Sequence, residues 1–310
     1  MTTPYIQANT DGRLHPASEP SISPLNRGFL YGDAIYEVWR TYEHTVFALE
    51  EHWTRLEQSA RALHLALPLD RGQLLEEMRR TVQAYVSHEG PAADFYLRLQ
   101  VSRGAGAIGL DCALADHTSY VLLVQPLRPQ TEKWQRTGLR LSVATALHRL
   151  HPETVNPAWK TGNYLNNILC LREARARGAD EVVITNLAGE LTEAAVSSLF
   201  FVRNGALVTP PLSAGILAGV TRRLVIEQAV PRAGLAVREQ ALRVEDLPAF
   251  QECFITSTTK EIASVAAIDG TTFAVREDTV TQRVRDAFQA VVRDYSASHP
   301  ELKILTAAGA

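Results

Sequence analysis

From Asn156 to Val202 the chain reads NPAWKTGNYLNNILCLREARARGADEVVITNLAGELTEAAVSSLFFV, and the rest is organised around this stretch. A helix is expected from about Tyr164 to Arg177, ended by Gly178 as a C-terminal cap. DEVVIT then reads as a strand, LAGE as a turn and LTEAAVSSLFFV as the next strand. One lysine, Lys160, stands just before the helix, and one glutamate, Glu193, follows the tight turn. The chain holds only four lysines: Lys133, Lys160, Lys260 and Lys303. Lys160 has Trp159, Tyr164 and Leu165 as apolar and aromatic neighbours, and desolvation among them would make it a nucleophilic amine that condenses with carbonyl compounds.

Ahead of that stretch, Asp11-Gly12 is a plausible hairpin turn and Tyr36 to Tyr42, rich in aromatic and β-branched residues, reads as a strand. Apolar residues at Leu49, Trp53, Leu56, Ala60 and Leu63 give a helical stripe, with Arg55 beside it and Glu50 and Glu51 suited to its start. A second amphipathic helix spans roughly Arg71 to Ser87. DFYLRLQVSRGAGAIGLD then runs from a strand into a loop in which Gly104, Gly106 and Gly109 spell GxGxxG. A dinucleotide fold needs a helix directly after that motif and an acidic residue about 20 residues on. Here the strand TSYVLLVQ follows too soon for a helix, and Asp111 and Asp116 come too early, so the context rejects a nucleotide site.

QPLRPQTE, with two prolines and no periodicity, is the expected linker. The expected division is a small amino-terminal domain over 1–124, a linker over 125–135 and a large domain over 136–310. TGLRLSVATAL beyond it reads as a strand. Further on, Gly215 and Gly219 punctuate a loop before a helix near Thr221, and a helix start with a threonine hydroxyl is a ready phosphate site. ECFITSTTKEIASVAAIDG reads as a strand ending in a Ser/Thr turn. A last helix, about Thr279 to Tyr295, is assigned to packing through Val284, Phe288, Val291 and Val292, with a poorly ordered tail expected from Ser296.

These segments together, from about Asn26 to Asp269, resemble the fold-type IV enzymes that use pyridoxal 5′-phosphate: branched-chain and D-amino-acid aminotransferases and aminodeoxychorismate lyase. The resemblance implies an α/β (α+β) two-domain fold, with a smaller α/β domain and a larger pseudo-barrel domain that binds the cofactor. It makes Lys160 the catalytic residue and covalent anchor of the cofactor, Glu193 the partner of the pyridine nitrogen and Tyr164 a partner of the ring hydroxyl. It gives Arg55, the Val220 N–H, the Thr221 hydroxyl and Thr258 to the phosphate, and packs Leu217 on the ring. An arginine suits phosphate because its guanidinium presents a fork of donors. Tyr31, Tyr36, Arg40, Tyr96, Arg98, Val196 and Thr259 fall to the substrate.

The members of the family differ in substrate, and the residues pull both ways. Tyr36 and Arg40 in YEVWR, with Tyr96 and Arg98 in YLR, match the branched-chain pattern. Val38 departs from it, as do Ala194 and Val196, where that pattern has glycine. KTGNY is one residue shorter than is usual there, and TSTTKE is similar to the D-amino-acid enzyme, whose arginine–histidine carboxylate trap has no match in GAGAIGL. VSRGAGAIG resembles the lyase. The expectation is an aminotransferase acting on an L-branched-chain-like amino acid and a 2-oxo acid such as 2-oxoglutarate. The alternatives are a D-amino-acid or (R)-amine transaminase, the lyase, and a cofactor-binding protein without turnover. A homodimer with shared active sites is implied, through loops near Tyr31 and Gly106.

Composition bounds the remaining classes. A net charge of -3 gives no sign of nucleic acid or membrane partners. Cys112, Cys170 and Cys253 are too widely spaced for a metal pattern or disulfide framework, so no metal is expected and a reducing compartment is. MTTPYIQANTDG has no basic start and no apolar core of a leader, and the cytoplasm is the expected location.

Overall fold

The computed structural model describes residues 4–115, 117–128 and 133–305. The chain forms two compact units. The first is Met1–Arg128 with Trp159–Asn163 and Asp294–Ala310; the second is Pro129–Ala158 with Tyr164–Arg293. The first unit therefore takes back two later segments, one of which carries Lys160. The expected linker spans the point where its long segment ends, and residues 129–132 of that linker, like Asp116, lie outside the described residues.

In the first unit, β1 (Gln7–Thr10) and β2 (Arg13–Pro16) form the expected hairpin, with Asp11 and Gly12 both at positive φ as a two-residue turn requires. A short helix, α1 (Arg27–Tyr31), is capped by Asn26, whose side chain accepts from Gly28 N–H. Then come β3 (Ala34–Tyr42), β4 (Thr45–Val46), α2 (Leu49–Ala62), α3 (Arg71–Glu89), β5 (Phe95–Ser102) and β6 (Ser119–Pro126). Asp70 and Gln73 start α3 as a capping box. All pairs in the sheet, ordered β2-β1-β6-β5-β3-β4, are antiparallel. Its core contains Trp39, Leu56, Leu74, Met78, Val82, Phe95, Leu97, Leu122 and Val124. Leu302, Ile304 and Leu305 are buried in the same core. The expectation of a poorly ordered tail from Ser296 is thus corrected as far as residue 305, because three apolar side chains there find a hydrophobic seat. Residues 306–310 lie outside the described residues.

Among the described residues, nothing helical stands between the glycine-rich loop and β6 beyond a single tight turn at Cys112–Leu114. The glycines answer to the loop's own packing. A Cβ on Gly106 would stand 1.9 Å from the Leu114 carbonyl oxygen, and one on Gly104, at φ 90°, 2.1 Å from that of His117.

The second unit contains β7 (Leu139–Val143), α4 (Leu165–Ala176), β8 (Glu181–Thr185), β9 (Leu191–Ala194), β10 (Ser198–Arg203), β11 (Ala206–Thr209), α5 (Val220–Leu224), a wider turn running on into α6 (Val230–Arg232), β12 (Val237–Glu239), β13 (Glu252–Ser257), β14 (Glu261–Ile268), β15 (Thr271–Thr272) and α7 (Val280–Ser298), whose last residues count with the first unit. Two corrections arise here. LTEAAVSSLFFV is two strands, β9 and β10, because Ala195–Ser197 turns the chain and Ala194 N–H donates to the Ser197 carbonyl at 2.8 Å. The segment after the Ser/Thr turn is itself a strand, β14, antiparallel to β13. Strands β10-β13-β14-β7-β8-β9 close on themselves through Ser198 opposite Glu193, the expected pseudo-barrel. Leu141, Val183, Leu199, Phe201, Ile255 and Val265 are among the side chains of its core.

Candidate active site

Strand register decides which side chains of the first unit can act together. Tyr36 lies opposite Gln100, Val38 opposite Arg98 and Arg40 opposite Tyr96. Directly opposed residues point to the same face, so Tyr36, Arg40, Tyr96 and Arg98 share one face of the sheet. Ile35, Glu37, Trp39 and Thr41 point to the other, and Ile35 and Trp39 belong to the core.

Lys160 is sewn onto the edge of β3. Its carbonyl accepts from Tyr36 N–H at 2.9 Å, Gly162 N–H donates to Ala34 at 2.9 Å, and Ile35 and Thr161 form an antiparallel bridge. Its own N–H donates to Ser59 Oγ of α2 at 3.1 Å. With the backbone fixed at three points, the ammonium lies 4.4 Å from the Tyr36 ring centre and 3.4 Å from the Tyr36 hydroxyl. The Arg98 guanidinium lies 3.9 Å from the centre of that ring. The sequence placed Lys160 among apolar neighbours, and here the structure differs. Leu165 is exposed, and the group that meets the amine is the polar aromatic Tyr36.

Arg55 faces Glu37, on the core side of β3. Its Nε donates to Glu37 Oε1 at 2.6 Å and Nη2 to Oε2 at 2.9 Å, while His52 Nδ1 lies 2.8 Å from Oε2. Burial alone would raise the Glu37 carboxyl, but Arg55 and His52 hold it well below the usual carboxylate range. Burial pushes the His52 imidazole down, against the pull of Glu37. Glu37 takes the Nε and Nη2 donors of the guanidinium. Ser59, the support of Lys160, follows Arg55 by one helical turn and donates to its carbonyl. Glu37, His52 and Ser59 escaped the sequence reading, although His52, Arg55 and Ser59 recur at helical spacing and stand on one face of α2. Tyr31, at the end of α1, accepts from Gly109 N–H at 3.1 Å and so ties to the glycine loop.

The second unit gathers a different set. Glu193 is 6% exposed, and Leu217 N–H points at both its carboxylate oxygens, 3.3 Å from each. Arg149 Nη2 lies 2.7 Å from Glu193 Oε1, and Arg149 Nη1 donates to Asn167 Oδ1 at 3.1 Å. Asn167 in turn donates to the Ala195 carbonyl at 2.7 Å. Arg149 had no signal in the sequence, since it stands in an irregular loop. Tyr164 caps α4, half-buried, and Val196 sits 51% exposed in the turn between β9 and β10.

Gly219 precedes α5 with no side-chain cap on the helix start, and Val220 and Thr221 are buried. A Cβ on Gly219 would come within 3.0 Å of Ser198 Oγ. Ser198 lies opposite Thr256, whose buried hydroxyl has no partner. Thr258 and Thr259 follow in the half-buried turn between β13 and β14. An uncapped helix start, a glycine where a side chain would intrude, and an unpartnered buried hydroxyl form a donor set that fits a phosphate. A carboxylate locked by Arg149 and Leu217 N–H fits the nitrogen of a protonated ring. Among the described residues no His, Cys, Asp and Glu cluster could hold a metal ion, and no helix is long and apolar enough to cross a membrane.

The model of the family "Amino-transferase class IV" matches residues 34–268. A Methanocaldococcus jannaschii protein provisionally named a branched-chain-amino-acid aminotransferase is 32% identical, over 91% of this chain and 94% of its own. The D-alanine aminotransferase of Bacillus licheniformis is 30% identical, over 90% and 94%. The crystal structure of a branched-chain aminotransferase from Thermoproteus uzoniensis, solved with norvaline, superposes with a TM-score of 0.84 at 29% identity and covers 96% of this chain and 97% of its own.

Proposed function

Because this chain belongs to the class IV aminotransferases and is a pyridoxal-phosphate-dependent transaminase, we propose that it moves the amino group of an L-branched-chain-like amino acid to a 2-oxo acid such as 2-oxoglutarate. The observation that carries this reading is the shared sheet face of Tyr36, Arg40, Tyr96 and Arg98, the four positions of the branched-chain pattern, with the Lys160 amine against Tyr36. The Methanocaldococcus and Thermoproteus relatives support it.

Pyridoxal phosphate supplies an electron sink for the substrate's Cα–H bond. Lys160 would hold the cofactor covalently and, once displaced by the substrate amine, would take the proton from Cα and deliver it to the cofactor carbon. Its three backbone anchors limit where the amine can travel, and the Tyr36 hydroxyl orients it. Glu193, kept in one orientation by Arg149 and Leu217 N–H, would pair with the ring nitrogen, and Tyr164 with the ring hydroxyl. Val220 N–H, Thr221, Thr258 and Arg55 would hold the phosphate, while Leu217 packs on the ring. Arg98, Arg40, Tyr96, Tyr31 and the Thr259 backbone would meet substrate, with Val196 limiting the side chain.

We also propose a cytoplasmic homodimer with shared active sites. Phe29 on α1 and Ile108 and Leu110 on the glycine loop are 70%, 75% and 81% exposed, large apolar side chains of the kind a subunit contact would cover. Sedimentation at micromolar concentration tests the dimer.

The test of specificity is formation of glutamate from 2-oxoglutarate with L-leucine or D-alanine as donor. Turnover with L-leucine alone is expected. Turnover with D-alanine alone moves the assignment to D-amino acids, and release of pyruvate from aminodeoxychorismate without any transamination moves it to the lyase.

A further inference from the structure

Lys260 begins where the Ser/Thr turn ends, and its side chain turns inward rather than into water. Only 14% of it is exposed. Its ammonium donates to Ser197 Oγ at 3.3 Å and stands 3.6 Å from Glu181 Oε2, itself 6% exposed. These partners belong to different parts of the barrel. Ser197 lies in the turn between β9 and β10, and Glu181 opens β8. On the ring of strands, β8 is separated from β14 by β7 and from β13 by β9 and β10. The side chain therefore ties two neighbouring turns, those flanking the Ser198–Thr256 pairing of β10 with β13, to β8, which pairs with neither β13 nor β14.

A lysine is almost never buried without a partner. A buried ion pair at 3.6 Å does little for stability, because desolvation of both charges offsets their attraction. What such a contact does supply is one fixed arrangement of the parts it joins. The two turns it joins carry Thr258 and Thr259 on one side and Val196 on the other.

We propose that Lys260 is a positioning residue that fixes the two substrate-facing turns, 195–197 and 257–260, in register at the barrel end. It acts on the substrate carboxylate through the Thr259 backbone and on the substrate side chain through the Val196 turn. This rests on the reading of Thr259 and Val196 as substrate contacts.

The test is the double variant Lys260→Met with Glu181→Gln, which removes both charges so that neither is left buried alone. The proposal expects KM for amino donor and oxo acid to rise about tenfold with kcat within about threefold, as for lost uniform binding. It expects a melting temperature close to that of the parent, and faster hydrogen exchange at the Thr258, Thr259 and Ser197 amides. Lys260→Arg should restore most of the affinity. Unchanged KM values, or unchanged exchange at those three amides, overturn it. The exchange readout needs no turnover, so a parent protein that fails to transaminate branched-chain donors sinks the functional reading without deciding this one.

Discussion

Arg149 reaches Glu193 with an Nη2–Oε1 distance of 2.7 Å, and the same guanidinium holds Asn167, which fixes the Ala195 carbonyl. Glu193 is thus one member of a buried chain that runs from β9 to α4. Its orientation is set before any ligand arrives.

Replacing Arg149 by Met removes a charge-assisted hydrogen bond to a buried carboxylate. Such bonds contribute about 1.5–3 kcal/mol, so the dissociation constant of pyridoxal phosphate should rise roughly 10- to 100-fold. Fluorescence titration of the cofactor-free protein checks this. An unchanged constant would mean that Glu193 does not need its arginine.

Acid should weaken the first unit in two stages. Burial lowers the His52 imidazole below its ordinary 6.5, so the unfolded chain takes up a proton first as the pH falls through that value, and stability falls with it. The Glu37 carboxyl is held below its ordinary 4.5, so its contribution is complete above that pH and is lost as the pH drops further. Urea midpoints measured down this range should decline in both windows, and His52→Gln should flatten the upper one. A parent midpoint that is flat through the upper window contradicts the buried, neutral imidazole.

Glu37→Leu removes the buried carboxylate that Arg55 and His52 hold, and breaking a buried pair from one side costs about 3–5 kcal/mol. Urea denaturation should register that loss. A variant as stable as the parent would show that Arg55 finds another anion.

Gly106→Ala places a Cβ against the backbone oxygen of Leu114, which no side-chain movement can relieve. Stability should fall by about 1–3 kcal/mol, as for other overpacked sites. NADH should bind neither parent nor variant; saturable binding would reopen the nucleotide reading of the glycine loop.

Much of this was legible in the sequence where local chemistry has a fixed period or a fixed turn. The Asp11-Gly12 hairpin, the two amphipathic helices and the rejection of GxGxxG all follow from spacing alone. The break at Ala195–Ser197 was not legible, because LTEAAVSSLFFV holds no glycine or proline and a turn without either leaves little mark. The buried tail was missed for the opposite reason: Leu302, Ile304 and Leu305 look unstructured until the core that receives them is known. Lys160 and Glu193 were singled out through a family likeness. Their supports, Ser59 and Arg149, are distant in sequence and meet them only in the fold.

The central claim is that Lys160 is the amine that holds the cofactor. Borohydride reduction of the protein with pyridoxal phosphate, followed by peptide mapping, tests it directly, since only four lysines compete for the label. The account predicts one stoichiometric label on Lys160 and none in Lys160→Ala. A label at Lys260, Lys133 or Lys303, or full labelling of the variant, would contradict it.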